Sequence, residues 1–148
     1  MKQDFYEYSR DEEGHYRFTS RGKRTIVKVV GFSSTRNECI FNMWFGDLLP
    51  DKTIDDTMIS NNGDIRKVLA TVVQITREFI FQQSGVTIVF KGNTDQRMIL
   101  YQRILKRHYV EFSSEFLITG FISNDELHEQ AFDHTNDKEY WVFFVRRK

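Results

Sequence analysis

Apolar residues in the first third of the chain come in short bursts separated by polar turns. Phe5 to Ser9 and His15 to Ser20 are aromatic-rich segments flanking Arg10-Asp11-Glu12-Glu13-Gly14, a polar loop ending in glycine, which predicts a β-hairpin. Arg21-Gly22-Lys23-Arg24 turns the chain into Thr25 to Phe32, rich in β-branched residues, where Lys28 shares a face with Ile26, Val30 and Phe32. A turn over Ser33 to Asn37 leads to Cys39 to Phe45, apolar at nearly every position and so expected to be a strand covered on both faces.

From Gly46 to Gly63 the pattern breaks. The stretch holds Pro50, the chain's one proline, the acids Asp47, Asp51, Asp55 and Asp56, and the polar end Ser60-Asn61-Asn62-Gly63. It reads as a long loop, and long loops within compact domains are more often functional than connective.

A helix follows, capped by Asn62 or Asp64, with Ile65, Val68, Leu69, Val72, Ile75, Thr76, Phe79 and Ile80 recurring at the helical period up to a stop at Gly85. Val86 to Lys91 is a short strand. Gly92-Asn93-Thr94-Asp95 opens a second helix running to about His108, with Met98, Tyr101, Ile104, Leu105 and His108 inward and Arg103, Lys106 and Arg107 outward. Phe116 to Ile122 is the next strand, an acidic helical connection spans Asn124 to about Phe132, and Tyr140 to Val145 is a last strand inside the sheet. The expected fold class is α+β: an N-terminal antiparallel meander continuing into a helix–strand–helix–strand unit from about Asn62 to Ile122, in one mixed sheet, ββββαβαβ(α)β.

Length and composition narrow the class. The 148 residues, 40% of them hydrophobic and 15% aromatic, suit a single domain, 1–148, with a real core rather than a disordered chain. Twenty-one basic against 21 acidic residues give zero formal charge, which disfavours a broad nucleic-acid or anionic-membrane surface. No apolar run suits a membrane helix and Met1-Lys2-Gln3-Asp4 does not begin a signal peptide, so the expected location is cytoplasmic, in a bacterial-type cytosol. Cys39, alone, forms no internal disulfide and is expected to be a small core hydrophobe.

Several segments resemble a family of short, uncharacterised bacterial proteins known only as a domain of unknown function. They are Tyr16-x-Phe18-x-Ser20-x-Gly22, Phe45-Gly46-Asp47, Asp55-Asp56, Ser60-Asn61-Asn62-Gly63-Asp64 with Lys67 to Val72, and Gly92-Asn93-Thr94 with Arg97, Leu100 and Tyr101. The element order also resembles the core of Gcn5-related N-acetyltransferases, in which antiparallel strands precede a helix, a parallel strand, a second helix and two more strands. That resemblance implies an acetyltransferase-like topology, a coenzyme A pyrophosphate at the first helix's N-terminus, and a tyrosine on the second helix that protonates the leaving thiolate. The phosphate-binding turn would be Ser60-Asn61-Asn62-Gly63 and the tyrosine Tyr101. The Arg/Gln-x-x-Gly-x-Gly/Ala turn of those enzymes is absent, only Gly63 remaining, and Asp64 sets a carboxylate where the pyrophosphate would lie.

The candidate ligand-binding residues are therefore Asn61, Asn62 and Gly63 at one strand-to-helix junction, and Asn93, Thr94 and Arg97 at the other. Both junctions are expected on the carboxyl edge of the parallel strands, which ligands favour. The plainer reading of each is a capped turn, of Arg97 a structural salt bridge with the Asp47 to Asp56 loop, and of Tyr101 a core side chain; Tyr101 is the one catalytic candidate. The four histidines fit no metal motif, so no metal is expected. The leading reading is a binding or interaction protein without cofactor on a degenerate acetyltransferase-like fold, its partner a ligand or another protein. The alternative is an active N-acyltransferase using acetyl-coenzyme A. A third is a small nucleic-acid-binding or toxin–antitoxin component, reading Arg103, Lys106, Arg107 and Arg146-Arg147-Lys148 as one basic face.

Overall fold

Tyr16, Phe18 and Ser20 are buried while Arg17, Thr19 and Arg21 are less so, the alternation of a strand packed on one face. The computed structural model describes residues 4–55, 61–91, 95–122, 129–135 and 140–148. Among them are nine strands in one sheet and three helices. Strands β1 (Ser9–Arg10), β2 (Tyr16–Arg21), β3 (Thr25–Ser34) and β4 (Ile40–Leu48) form the antiparallel meander. After β5 (Ile54–Asp55) come α1 (Ile65–Gln82), β6 (Thr87–Phe90), α2 (Asp95–Arg107), α3 (Tyr109–Glu115), β7 (Phe116–Ile122), β8 (Glu129–Ala131) and β9 (Tyr140–Arg147). The strand order is β1-β2-β3-β4-β6-β9-β7-β8, so the last long strand does lie inside the sheet, as its two-sided hydrophobicity predicts.

Every pairing is antiparallel except β4 with β6, which run parallel from Ile40–Thr87 to Met43–Phe90. There β6 ends while β4 continues to Leu48. The same edge of β4 is taken up again at Asp47 and Leu48, where β5 folds back antiparallel onto it.

The core lies between the sheet and α1 and α2. Alternate residues of the central strands, such as Val30, Met43, Phe45, Ile88, Phe90, Phe143 and Val145, meet Val72, Ile75, Phe79, Ile104 and Leu105. Phe32 stacks on Phe79 with ring centroids 4.0 Å apart. Large apolar side chains buried this fully each contribute about 1.5–3 kcal/mol. On the opposite sheet face, Phe121 stacks on Trp141 at 5.8 Å. A register shift between Phe121 and Ile122 places Trp141 there.

Several expectations are corrected. Phe5 to Tyr8 is not a strand: the Tyr6 N–H donates to Thr71 Oγ1 of α1 at 2.9 Å and the Tyr6 ring stacks on Phe18, so pairing with β2 begins only at Ser9. Cys39 is exposed rather than core. Its N–H donates to Asn37 Oδ1, which extends the turn by one residue before β4 starts. The Gly46 to Gly63 stretch is not one loop, because β4 reaches Leu48 and β5 makes a hairpin with it, turning at Lys52 with φ 69°. The second helix ends at Arg107, next to the expected His108, but a further helix not expected from the sequence, α3, follows across the bend at His108, with the Phe112 N–H donating to the His108 carbonyl. Part of the connection expected to be helical is strand, Glu129–Ala131 pairing with β7, while residues 123–128 lie outside the described residues.

Candidate functional site

The chain enters α1 through a hydrogen-bonded hub. Asn62, 2% exposed, donates through Nδ2 to Ser20 Oγ at 2.9 Å and to the Arg24 carbonyl at 2.8 Å, and its Oδ1 accepts the Arg24 N–H at 2.7 Å. Its own carbonyl accepts the Lys23 N–H at 2.8 Å. Every polar atom of the Asn62 side chain is thus turned onto the β2–β3 turn. Gly22 permits this approach: a Cβ there would lie 1.7 Å from the Asn62 carbonyl oxygen.

Asp64 occupies the N-cap position of α1 but makes no capping bond with its side chain. Its Oδ2 instead accepts from Ser20 Oγ at 2.5 Å and from the Tyr6 hydroxyl at 2.6 Å. Burial, and then the neighbouring Asp64 carboxylate, raise the Tyr6 pKa above its ordinary 10.0. The first turn of α1 contains no acid, and Arg66 and Lys67 sit there. Cations at a helix N-terminus oppose its partial positive charge, leaving that end suited to an anion.

Beside this end is a cavity of about 260 Å³. Asn61, Asn62, Gly63 and Ile65 bound it on the α1 side, and Gln96, Ile99, Leu100 and Arg103 on the α2 side. Ile65 and Ile99 are 40% and 58% exposed, so the rim is apolar, while Arg103 brings a positive charge. Apolar walls with a few convergent polar groups are the usual makings of a ligand site.

Of the expected site residues, Asn61 and Gly63 stand exposed at the cavity, Gly63 with φ 84°, whereas Asn62 lines it while its amide is occupied internally. Asn93 and Thr94 lie outside the described residues, as does the Arg97 side chain, although Arg97 falls in α2. Tyr101 is 3% exposed, its ring 6.0 Å from that of Phe45 on β4 and 5.8 Å from that of Phe90 on β6. It packs where β6 ends at Phe90 and β4 runs on.

Sequence reasoning missed one feature. Lys28 and Asp47 are cross-strand partners, their side chains 6% and 14% exposed, and Nζ reaches Oδ1 at 2.5 Å. Asp55 is next in the same row, opposite Asp47. The signal available was a lone lysine on the apolar face of a β-branched strand, because a buried ammonium requires a carboxylate partner.

Fold and site together define a small α+β domain with one mixed sheet and a cavity between the heads of its two long helices. A model of the family of unknown function DUF6934 matches residues 2–148, and the chain belongs to that family. No curated protein and no solved structure matches it. None of the described helices is long and apolar enough to cross a membrane.

Proposed function

We propose that this domain is a binding protein with acetyltransferase-like topology whose α1–α2 cavity takes a small ligand combining an anionic group with an apolar part. The observation that carries this reading is the meeting of the uncapped α1 N-terminus, the apolar rim of Ile65 and Ile99, and Arg103 around one cavity. Asp64, the residue most opposed to an anion, turns its carboxylate to Tyr6 and Ser20. The topology is supported by the parallel β4–β6 pair, which ends at Met43 and Phe90 while β4 runs on.

Two features favour binding over acyl transfer. The β4 edge at Asp47 and Leu48, beside the point where the strands part, is occupied by β5. Tyr101 is 3% exposed and packs its ring against Phe45 and Phe90, the setting of a core side chain. A continuous nucleic-acid face is disfavoured as well. Arg103 lines the cavity at the first turn of α1 and Arg147 lies over Phe81 in its last turn, the ends of an 18-residue helix about 27 Å long.

Thermal unfolding with pyrophosphate, ADP and acetyl-coenzyme A tests the reading. A ligand at a hundredfold excess over its Kd adds about 2.7 kcal/mol of stability. The expected result is stabilisation by one or more of these compounds, weakened in Arg103→Ala and Ile99→Asp, with no thiol released from acetyl-coenzyme A when amines are added. Thiol release would favour the N-acyltransferase alternative, and no stabilisation at millimolar ligand would remove the binding reading. Arg103 is a better probe than Asn62, whose loss would open the hub itself.

A further inference from the structure

The α1–α2 cavity is small, apolar along its middle and lined by one described cation, and these properties together narrow its ligand. At about 260 Å³ it falls below the roughly 300–1,000 Å³ of sites that enclose whole drug- or cofactor-sized molecules, and at ~30 Å³ per water-sized group it has room for about eight or nine. Gln96, Ile99, Leu100 and Arg103 are spaced i, i+3, i+4 and i+7, so α2 presents them as one face. The two polar side chains start about 10 Å apart along the axis, with the apolar ones between. Ile65 of α1 extends the apolar wall.

Charge decides the head group. Arg103 is exposed, and its guanidinium makes no hydrogen bond or ion pair among the described residues. Lys67 is matched by Asp4 and lies over the Tyr6 ring. Arg66 on α1, Lys106 and Arg107 further along α2, and Lys23, whose side chain lies against Gly63, add positive charge around the cavity without lining it. Asp64, the acid at the head of α1, accepts from Tyr6 and Ser20. The surroundings therefore favour an anion, and one guanidinium meets it. A planar guanidinium matches a carboxylate through two parallel N–H···O bonds, one charge against one. A pyrophosphate would press surplus negative charge against Ile65 and Ile99, where a charge without a partner is costly. The side-chain amides of Asn61 and Gln96, exposed and without partners among the described residues, add neutral donors.

We propose that the ligand of this cavity is an aliphatic monocarboxylic acid of about six carbons, the eight heavy atoms that the volume admits, a choice that deepens and rests on the binding reading of the same cavity. Arg103 holds the carboxylate, and the chain lies along Ile99, Leu100 and Ile65.

Proton–nitrogen NMR of the Asn61 and Gln96 side-chain amides tests this, with hexanoate as probe and 1-hexanol, hexylamine, pyrophosphate, ADP and the carboxylates from acetate to decanoate for comparison. Both amide signals are expected to shift saturably with hexanoate and to stay fixed with hexylamine. Hexanoate should bind roughly tenfold more tightly than 1-hexanol or pyrophosphate, each of which lacks half of the match. Affinity should rise by up to about fourfold per methylene from acetate to hexanoate and level off by decanoate, once the cavity is full. Arg103→Lys, at an exposed residue, keeps the charge but loses the paired bonds, and should weaken hexanoate roughly tenfold while leaving 1-hexanol unchanged. Pyrophosphate or ADP binding as tightly as hexanoate overturns the carboxylate assignment and leaves the binding reading standing. The assignment also falls if 1-hexanol or hexylamine matches hexanoate, if affinity climbs on through decanoate, or if Arg103→Lys binds hexanoate like the unaltered protein. If none of the compounds shifts either amide, the assignment and the binding reading fall together.

Discussion

Asn62 and Arg24 are joined reciprocally: the Arg24 N–H donates to Asn62 Oδ1 at 2.7 Å, and Asn62 Nδ2 returns a bond to the Arg24 carbonyl at 2.8 Å. An asparagine side chain can match a backbone amide in this way because it is itself an amide, with donor and acceptor side by side. The pairing fixes the head of α1 to the β2–β3 turn, and with it the α1 side of the candidate cavity. Asn62→Ala would strip partners from Arg24 and Ser20 together and is expected to destabilise the protein by about 2–3 kcal/mol. Urea unfolding checks this; a loss within about 0.5 kcal/mol, the scatter of ordinary surface substitutions, would show that the junction does not depend on the side chain.

Gly22→Ala attacks the same junction from the other side. The added methyl would overlap the Asn62 carbonyl oxygen at 1.7 Å, so the turn must move and the 2.8 Å Lys23 N–H bond to that oxygen must stretch. The loss is expected to match or exceed that of Asn62→Ala. Combined, the two substitutions should fall short of the sum of their separate effects, since each breaks what the other relies on. Full additivity in the same unfolding measurement would mean that they act independently.

Lys28 and Asp47 form the most enclosed ion pair among the described residues, at 6% and 14% side-chain exposure. Removing one partner of a buried pair costs about 3–5 kcal/mol because the other charge is left without compensation, whereas replacing both by apolar residues is often near neutral. Lys28→Met alone should therefore be strongly destabilising, and Lys28→Met with Asp47→Leu should recover much of the loss. A double-mutant cycle on unfolding free energies decides. No recovery would indicate that the other groups near the pair, such as Asp55, set the energetics instead.

Acid sensitivity should trace partly to His108. Burial lowers its folded-state pKa below the ordinary 6.5. Between the folded and unfolded values the unfolded chain binds more protons, so stability rises with pH across that window. The contribution is fully present above about pH 6.5, is lost as pH falls through the folded-state pKa, and changes no further below it. His108→Gln should flatten this part of the stability profile. Unfolding free energies of both proteins from pH 7.5 down to about pH 5 would show it, and parallel profiles would exclude His108 as the source.

The elements most legible in the sequence are those that depend on local pattern. The 3.6-residue spacing from Ile65 to Ile80 defines α1, and the two-sided hydrophobicity of Tyr140 to Val145 places β9 between β6 and β7. Misreadings arose where a contact distant in sequence outweighed local preference. Phe5 to Tyr8 has strand composition, but the Tyr6 backbone bonds to Thr71, 65 residues away. The α3 turn is hidden because Tyr109 and Phe112 carry its packing while Val110 is 81% exposed.

The same division runs through the candidate sites. Sequence by itself determined that Asn61, Asn62 and Gly63 precede a helix and that this junction is polar, since asparagine and glycine favour turns for reasons internal to their own backbones. Only the tertiary structure decided that Asn62 turns inward to Arg24 while Asn61 stands at a cavity, and that Asp64 faces Tyr6 and Ser20. Lys28 meeting Asp47, and His108 Nε2 buried with no hydrogen-bond partner among the described residues, belong to the same group. The physical reason is that hydrogen bonds and ion pairs act over a few ångströms in space, and the partners that satisfy these groups arrive from other strands and helices, at separations along the chain that no local pattern encodes.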